Sequence, residues 1–198
     1  EAESERVMWR DQLDGTADSI FEMQTTLSQK LAGALAVDQS PKRRSSAFPT
    51  ESVQAFTNYA HARVLLERKD IPGNLTRAIE LLDQALVQDP RFALAHSALG
   101  EAYWENYRLL AEPQWTFKAL SSLAEALRLE PNQCDVRRTL ATIYRGTGRN
   151  DEALEELQRA LTIEPANDET HRTLGNVLFD LGHREEALKH FDQAIQLR

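Results

Sequence analysis

The stretch CDVRRTLATIYRGTGRNDEALEELQRALTIEP, Cys134 through Pro165, decides the fold. It reads as two helices of opposite direction. Leu140, Ala141 and Tyr144 share a stripe on the first, and Ala153, Leu157 and Ala160 share one on the second. Small residues sit where two helices cross closely, and large ones fill the gaps beside them. Gly146 and Gly148 are expected to end the first helix or to sit in the turn, where a positive φ is often needed, and Gly182 to do the same later. Pro165 cannot continue the second helix and stops it.

The pattern repeats along the chain. Asp89-Pro90, Glu130-Pro131 and Glu164-Pro165 each follow an Ala-Leu stretch: Gln84-Ala85-Leu86, Glu125-Ala126-Leu127 and Arg159-Ala160-Leu161. Gln193-Ala194-Ile195 is a fourth such stretch without its Pro. Leu174, Gly175, Leu178, Ala187, Phe191 and Ala194 repeat the residue pattern over 168–198. An earlier unit, 93–133, carries Leu99, Gly100, Tyr103, Ala119, Leu123 and Ala126, with extra residues around Asn106–Gln114. A looser unit, 55–92, has Ala62, Leu65, Ala78, Leu82 and Ala85, with extra residues near Asp70–Asn74. The interval from Pro131 to Pro165 equals the period of the tetratricopeptide (TPR) repeat, which 55–198 resembles.

The N-terminal fifty residues differ. Ser19 and Glu22 suit a capping box, and Ile20, Leu27, Leu31 and Leu35 make a helical stripe to about Val37. Residues 5–12 read as strand or coil, and 38–51 as a polar, basic linker. The expected fold is therefore all-α: a right-handed TPR superhelix of about four antiparallel helix pairs plus an additional N-terminal helix, about nine helices in all. The chain opens on Glu1 and stops at Arg198 without a closing Pro, which reads as an excised fragment.

Bulk composition excludes several functions. Gly and Pro together number 15 of 198 residues, too few for a hairpin-rich fold, while Ala, Leu, Glu, Arg and Gln favour helix. A net charge of −8 argues against unspecific nucleic-acid binding, which needs a basic face. No apolar run is long enough to span a bilayer. Cys134 is the one cysteine, so no internal disulfide forms.

A narrower resemblance accompanies the repeats. Val7–Thr16 and Asp18–Gln24 look like the end of a TolB-like domain, and Pro49-Thr50-Glu51-Ser52 with Ala55-Phe56 resembles the junction after it. Pro72-Gly73-Asn74-Leu75 and Arg91–His96 resemble the TPR tails of bacterial serine/threonine kinases, with similar segments in adenylate cyclases and winged-helix regulators. The resemblance implies a regulatory or sensory tail of a signalling protein. No kinase Gly-rich loop, His-Arg-Asp or Asp-Phe-Gly motif is present.

TPR resemblance also implies where a partner would lie, because first helices line a concave surface in that family. The matching positions are Phe56, Tyr59 and Arg63; Leu94, Ser97, Glu101 and Trp104; Arg138, Thr142 and Arg145; and Arg172, Asn176 and Phe179. Four arginines there suggest a groove for a protein or an acidic or C-terminal peptide, since guanidinium forks match carboxylates. Arg172 and Asn176 resemble part of a carboxylate clamp, whereas Ser97 and Glu101 do not complete one. A solvated polar face explains the same arginines equally well.

Other features carry alternatives. Trp104, Tyr107, Trp115 and Phe117 gather near the long insertion, either as packing, the favoured reading, or as a small-ligand pocket. Leu188, Phe191 and Ile195 make an apolar end suited to self-association, a homodimer. His61, His96, His171, His183 and His190 lack metal spacing, so no metal or other cofactor is expected. Glu155-Glu156 and Glu185-Glu186 are read as acidic starts of second helices, complementing the dipole. Cys134 opens a helix, where a thiol pKa can fall, but no base accompanies it. The chain is expected to bind rather than catalyse.

Overall fold

The computed structural model describes residues 49–198. Contacts divide the chain at Val53, and the larger unit, Gln54–Arg198, carries the repeats. Eight helices make up the described residues: α1 Val53–Glu67, α2 Asn74–Gln88, α3 Ala93–Leu110, α4 Pro113–Leu129, α5 Cys134–Gly146, α6 Asn150–Ile163, α7 Asp168–Asp180 and α8 Arg184–Gln196. They alternate as first and second members of antiparallel pairs in a TPR-like superhelix. The helix expected from Ser19 to about Val37, the segment 5–12 and the TolB-like stretch lie outside the described residues.

The turns between pairs share one construction. Asp89, Glu130 and Glu164 end α2, α4 and α6 with φ of −142°, −134° and −130°, the extended backbone required before Pro. Each of the three donates its N–H, at 2.9 Å, to the carbonyl of the buried Ala four residues earlier: Ala85, Ala126 or Ala160. Six residues after each Pro, a side chain returns to the Pro carbonyl at 3.0 Å. These are His96 to Pro90, Arg137 to Pro131 and His171 to Pro165. A turn carbonyl outside either helix is thereby satisfied from the next first helix.

Small residues set the crossing within each pair. Ala62, Ala78, Ala119, Ala141, Ala153 and Ala160 are fully buried. A Cβ on Gly100 would stand 2.5 Å from Leu123, and one on Gly175 would stand 2.5 Å from Phe191. Leu82, Leu123 and Leu157 are fully buried at the centre of the second helices. Burying each contributes about 1.5–3 kcal/mol.

Two local expectations change. Gly148 and Gly182 do have positive φ, at 78° and 84°, but Gly146 does not. Gly146 is the last residue of α5, and a Cβ there would stand 2.6 Å from the Trp104 ring, so it is a gap for an indole. Glu155 and Glu156 do not begin α6, because the helix starts at Asn150 and its first-turn acids are Asp151 and Glu152. Glu156 instead lies across from Arg137 at 2.8 Å. The extra residues of the second pair are helical: α3 and α4 have 18 and 17 residues, against 13 and 14 in α5 and α6.

Candidate functional site: the groove of the first helices

First helices are amphipathic on two sides, since one stripe packs on the second helices and another turns inward. The inward stripes of α1, α3, α5 and α7 enclose an open groove of about 780 Å³. No second helix contributes to its lining. Arg63, Glu101, Trp104, Arg138, Thr142 and Arg145, all expected from the sequence, line it.

Ion pairs bridge neighbouring first helices across this groove. Arg63 on α1 donates to Glu101 on α3 at 2.8 Å, and Lys69 meets Glu105 at 2.7 Å. Further along, Arg138 on α5 meets Glu169 on α7 at 2.9 Å and its own neighbour Asp135 at 2.9 Å. Arg145 donates to Asp180 on α7 at 2.6 Å. Burial works to lower the Arg63 pKa, but the Glu101 carboxylate outweighs it and holds the guanidinium above its ordinary value. The lining contains five cationic and four anionic side chains, so the groove is a zwitterionic ladder rather than a row of free arginines.

Between the two ladders, α3 meets α5 through an apolar seam. Trp104, 8% exposed, stacks on Tyr107 with ring centroids 5.0 Å apart and packs over Gly146. Arg172 on α7 is not part of the groove lining, nor are Asn176 and Phe179; of the four arginines it alone makes no ion pair among the described residues, and it is exposed. Asn176 follows one turn later, and Phe179 beyond it is 56% exposed.

The remaining expected residues lie elsewhere. Phe56 and Tyr59 are half-buried and pack on the first core, with Tyr59 centred 5.0 Å from Phe92. Burial raises the Tyr59 phenol pKa. Leu94 packs on the same core, and Ser97 is buried. Sequence reasoning missed Glu67, Glu105, Gly146 and Asp180, which line the groove. They stand four residues after Arg63, Glu101, Thr142 and Asn176, so one more step along the helix face would have found them.

The aromatic residues near the insertion do not form one pocket. Trp104 pairs with Tyr107, while Trp115 lies 5.7 Å from Tyr103, with the Lys118 ammonium 4.7 Å above its ring. Phe117 is exposed. Cys134 is buried, close to Thr170 and the Ala160 carbonyl, and burial raises its thiol pKa, the opposite of the expected effect of the helix start. Among the described residues, no three His, Cys, Asp or Glu side chains are placed to hold a metal. No helix among them is long and apolar enough to cross a membrane.

A family profile described as TPR repeat matches residues 72–106 and 141–182, and one described as tetratricopeptide repeat matches 168–198. No curated protein matches the chain in sequence. Among solved structures, TTC0263, a thermophilic TPR protein in Thermus thermophilus, is similar at 22% identity and a TM-score of 0.66, over 89% of this chain and 82% of that one. MamA is similar at 22% identity and a TM-score of 0.58, over 89% and 88% of the two chains. The MamA RS-1 ArsTM double mutant is similar at 17% identity and a TM-score of 0.59, over 92% and 95%. At such identities the likeness speaks for the fold. The chain carries TPR repeats in a TPR-like superhelical fold.

Proposed function

We propose that four repeat units, about 55–92, 93–133, 134–167 and 168–198, present the first-helix groove to a segment of a partner protein. The observation that carries this is the open groove itself, lined by first helices and Lys69 just past α1 and rich in paired charges that can exchange partners. An acidic or C-terminal peptide is the preferred occupant, and the point of capture is Arg172 with Asn176 and the exposed Phe179, because the other three arginines already hold carboxylates. A displayed library of short peptides selects the ligand. Arg172→Glu is expected to weaken the selected acidic peptides about ten- to a hundredfold, the equivalent of the ~1.5–3 kcal/mol of a hydrogen bond to a charged group. Undiminished binding overturns the acidic-peptide reading.

A small-ligand reading is less supported, since the aromatic side chains are spent on stacking with one another. The regulatory-tail reading rests on the resemblance at 7–24, 49–56, 72–75 and 91–96. A kinase, cyclase or DNA-binding domain encoded upstream supports it, and an unrelated upstream sequence counts against it.

Self-association has its own observation. Leu154 and Leu161 on α6 pack into the core beside α7. Their counterparts one repeat further on, Leu188 and Ile195 on α8, are 62% and 71% exposed. This face continues the seam that joins the internal pairs, and a second copy is proposed to cover it. Light scattering is expected to show a dimer that Leu188→Glu with Ile195→Glu converts to monomer. A wild-type monomer at every concentration overturns it.

A further inference from the structure

One pair of positions joins first and second helices in both C-terminal pairs, and it is filled in opposite ways. In the third pair, Arg137 on α5 meets Glu156 on α6 at 2.8 Å, while the same guanidinium reaches the Pro131 carbonyl. In the fourth, one repeat further on, the slot holds His171 on α7 and His190 on α8. Their Nδ1 atoms are 3.0 Å apart and their rings nearly parallel, with centroids at 5.3 Å. His171 is buried, and its Nε2 lies 3.0 Å from the Pro165 carbonyl.

Hydrogen-bond chemistry fixes the protons. A carbonyl only accepts, so His171 carries its proton on Nε2 and donates there. Neutral His171 then has a bare Nδ1, and His190 donates to it from its own Nδ1. A proton added at His190 Nε2 leaves this bond in place. A proton added at His171 Nδ1 sets two N–H donors against each other at 3.0 Å. The third pair's slot holds opposite charges; the fourth pair's holds none when neutral and only positive charge once protonated.

Several groups act on His190. Burial is the largest influence and lowers its pKa, the charge of His171 lowers it further, and a Gln193 hydrogen bond and the Glu186 carboxylate oppose them. The unfolded chain therefore binds a proton that the folded unit resists. Stability from this site is complete above the ordinary histidine pKa of about 6.5 and is lost as pH falls below it.

We propose that the His171–His190 pair is an acid-released latch on the last helix pair. In mildly acid solution protons enter the pair until N–H faces N–H across it, the contact opens, and α7–α8 loosens from the array while the Arg137–Glu156 slot keeps α5–α6 closed. The latch stands independently of any ligand. Its consequence for the groove is loss of the wall that supplies Glu169 and Asp180 to Arg138 and Arg145.

Amide hydrogen exchange of the full chain at about pH 7.5 and about pH 5, corrected for the intrinsic rate, tests it on either side of the histidine range. Protection of 168–196 is expected to fall about tenfold or more relative to 134–163. His171→Arg with His190→Glu rebuilds the opposite-charge slot and is expected to keep protection at both pH values. If that variant is already unprotected at neutral pH, His190→Gln, which still donates to His171, serves instead and is expected to reduce the acid loss. Equal loss of protection in 134–163 and 168–196, or an undiminished acid loss in His190→Gln, overturns the latch.

Discussion

Gly146 shows how one residue type hides two physical reasons. A helix gains about 1 kcal/mol when an interior Gly becomes Ala. Here the added methyl would meet the Trp104 ring at 2.6 Å, and overpacking costs about 1–3 kcal/mol. Gly146→Ala is therefore expected to lower stability by about 1 kcal/mol and to shift Trp104 emission, read with Trp9 and Trp115 replaced by Phe. Gly148 has open space around it and a φ of 78°, so Gly148→Ala is expected to cost about 1–2 kcal/mol of strain and leave the emission unmoved. Sequence alone showed two glycines near a helix end and gave both the same reason, the end of the helix or the turn. It had no way to show an indole arriving from the first helix of the preceding pair.

At the scale of elements, the repeat period made most of the fold legible, because a Pro closing each internal repeat and small residues at fixed offsets specify paired helices directly. The site was less legible. Phe56, Tyr59, Leu94 and Ser97 match groove positions of the family, yet they are drawn into the first core or lie beside it, because the early pairs are irregular. Arg63, Arg138 and Arg145 line the groove and Arg172 does not, and the partners Glu169 and Asp180 come from the next helix pair, a register that spacing within one helix does not reveal. The Arg137–Glu156 bridge is the firmest of these links, with side chains 16% and 12% exposed. Arg137→Met removes it together with the Pro131 contact, and Glu156 keeps only Arg159. The expected loss is about 2–4 kcal/mol by urea denaturation, most of it from the buried carboxylate. Arg137→Met with Glu156→Leu is expected to recover more than half, and failure to recover would place the loss in the turn contact instead.

For the repeat-bearing unit as a whole, stability is close to a sum over neighbours, so the position of a defect matters as much as its size. The ion-pair ladders are partly solvated and each is worth about 0–1 kcal/mol, so they set the spacing of first helices more than they hold the stack together. The apolar seams carry it. Leu123 is fully buried and packs with Trp104, Val136, Leu140 and Ile143, so it belongs to the interface between the second and third pairs as well as to its own pair. Phe191 fills the corresponding position in the last pair, where nothing among the described residues lies beyond α8. Leu123→Ala and Phe191→Ala each remove a large apolar side chain from a seam, costing about 2–5 kcal/mol locally. Their reach differs. Leu123→Ala is expected to weaken amide protection on both sides, in α3–α4 and in α5–α6, because the seam it leaves has two owners. Phe191→Ala is expected to expose α7–α8 alone and leave α3–α6 at wild-type protection. Equal, uniform loss in both variants would mean that the array unfolds as one cooperative block, and a latch acting on the last pair alone would then have no separate unit to release.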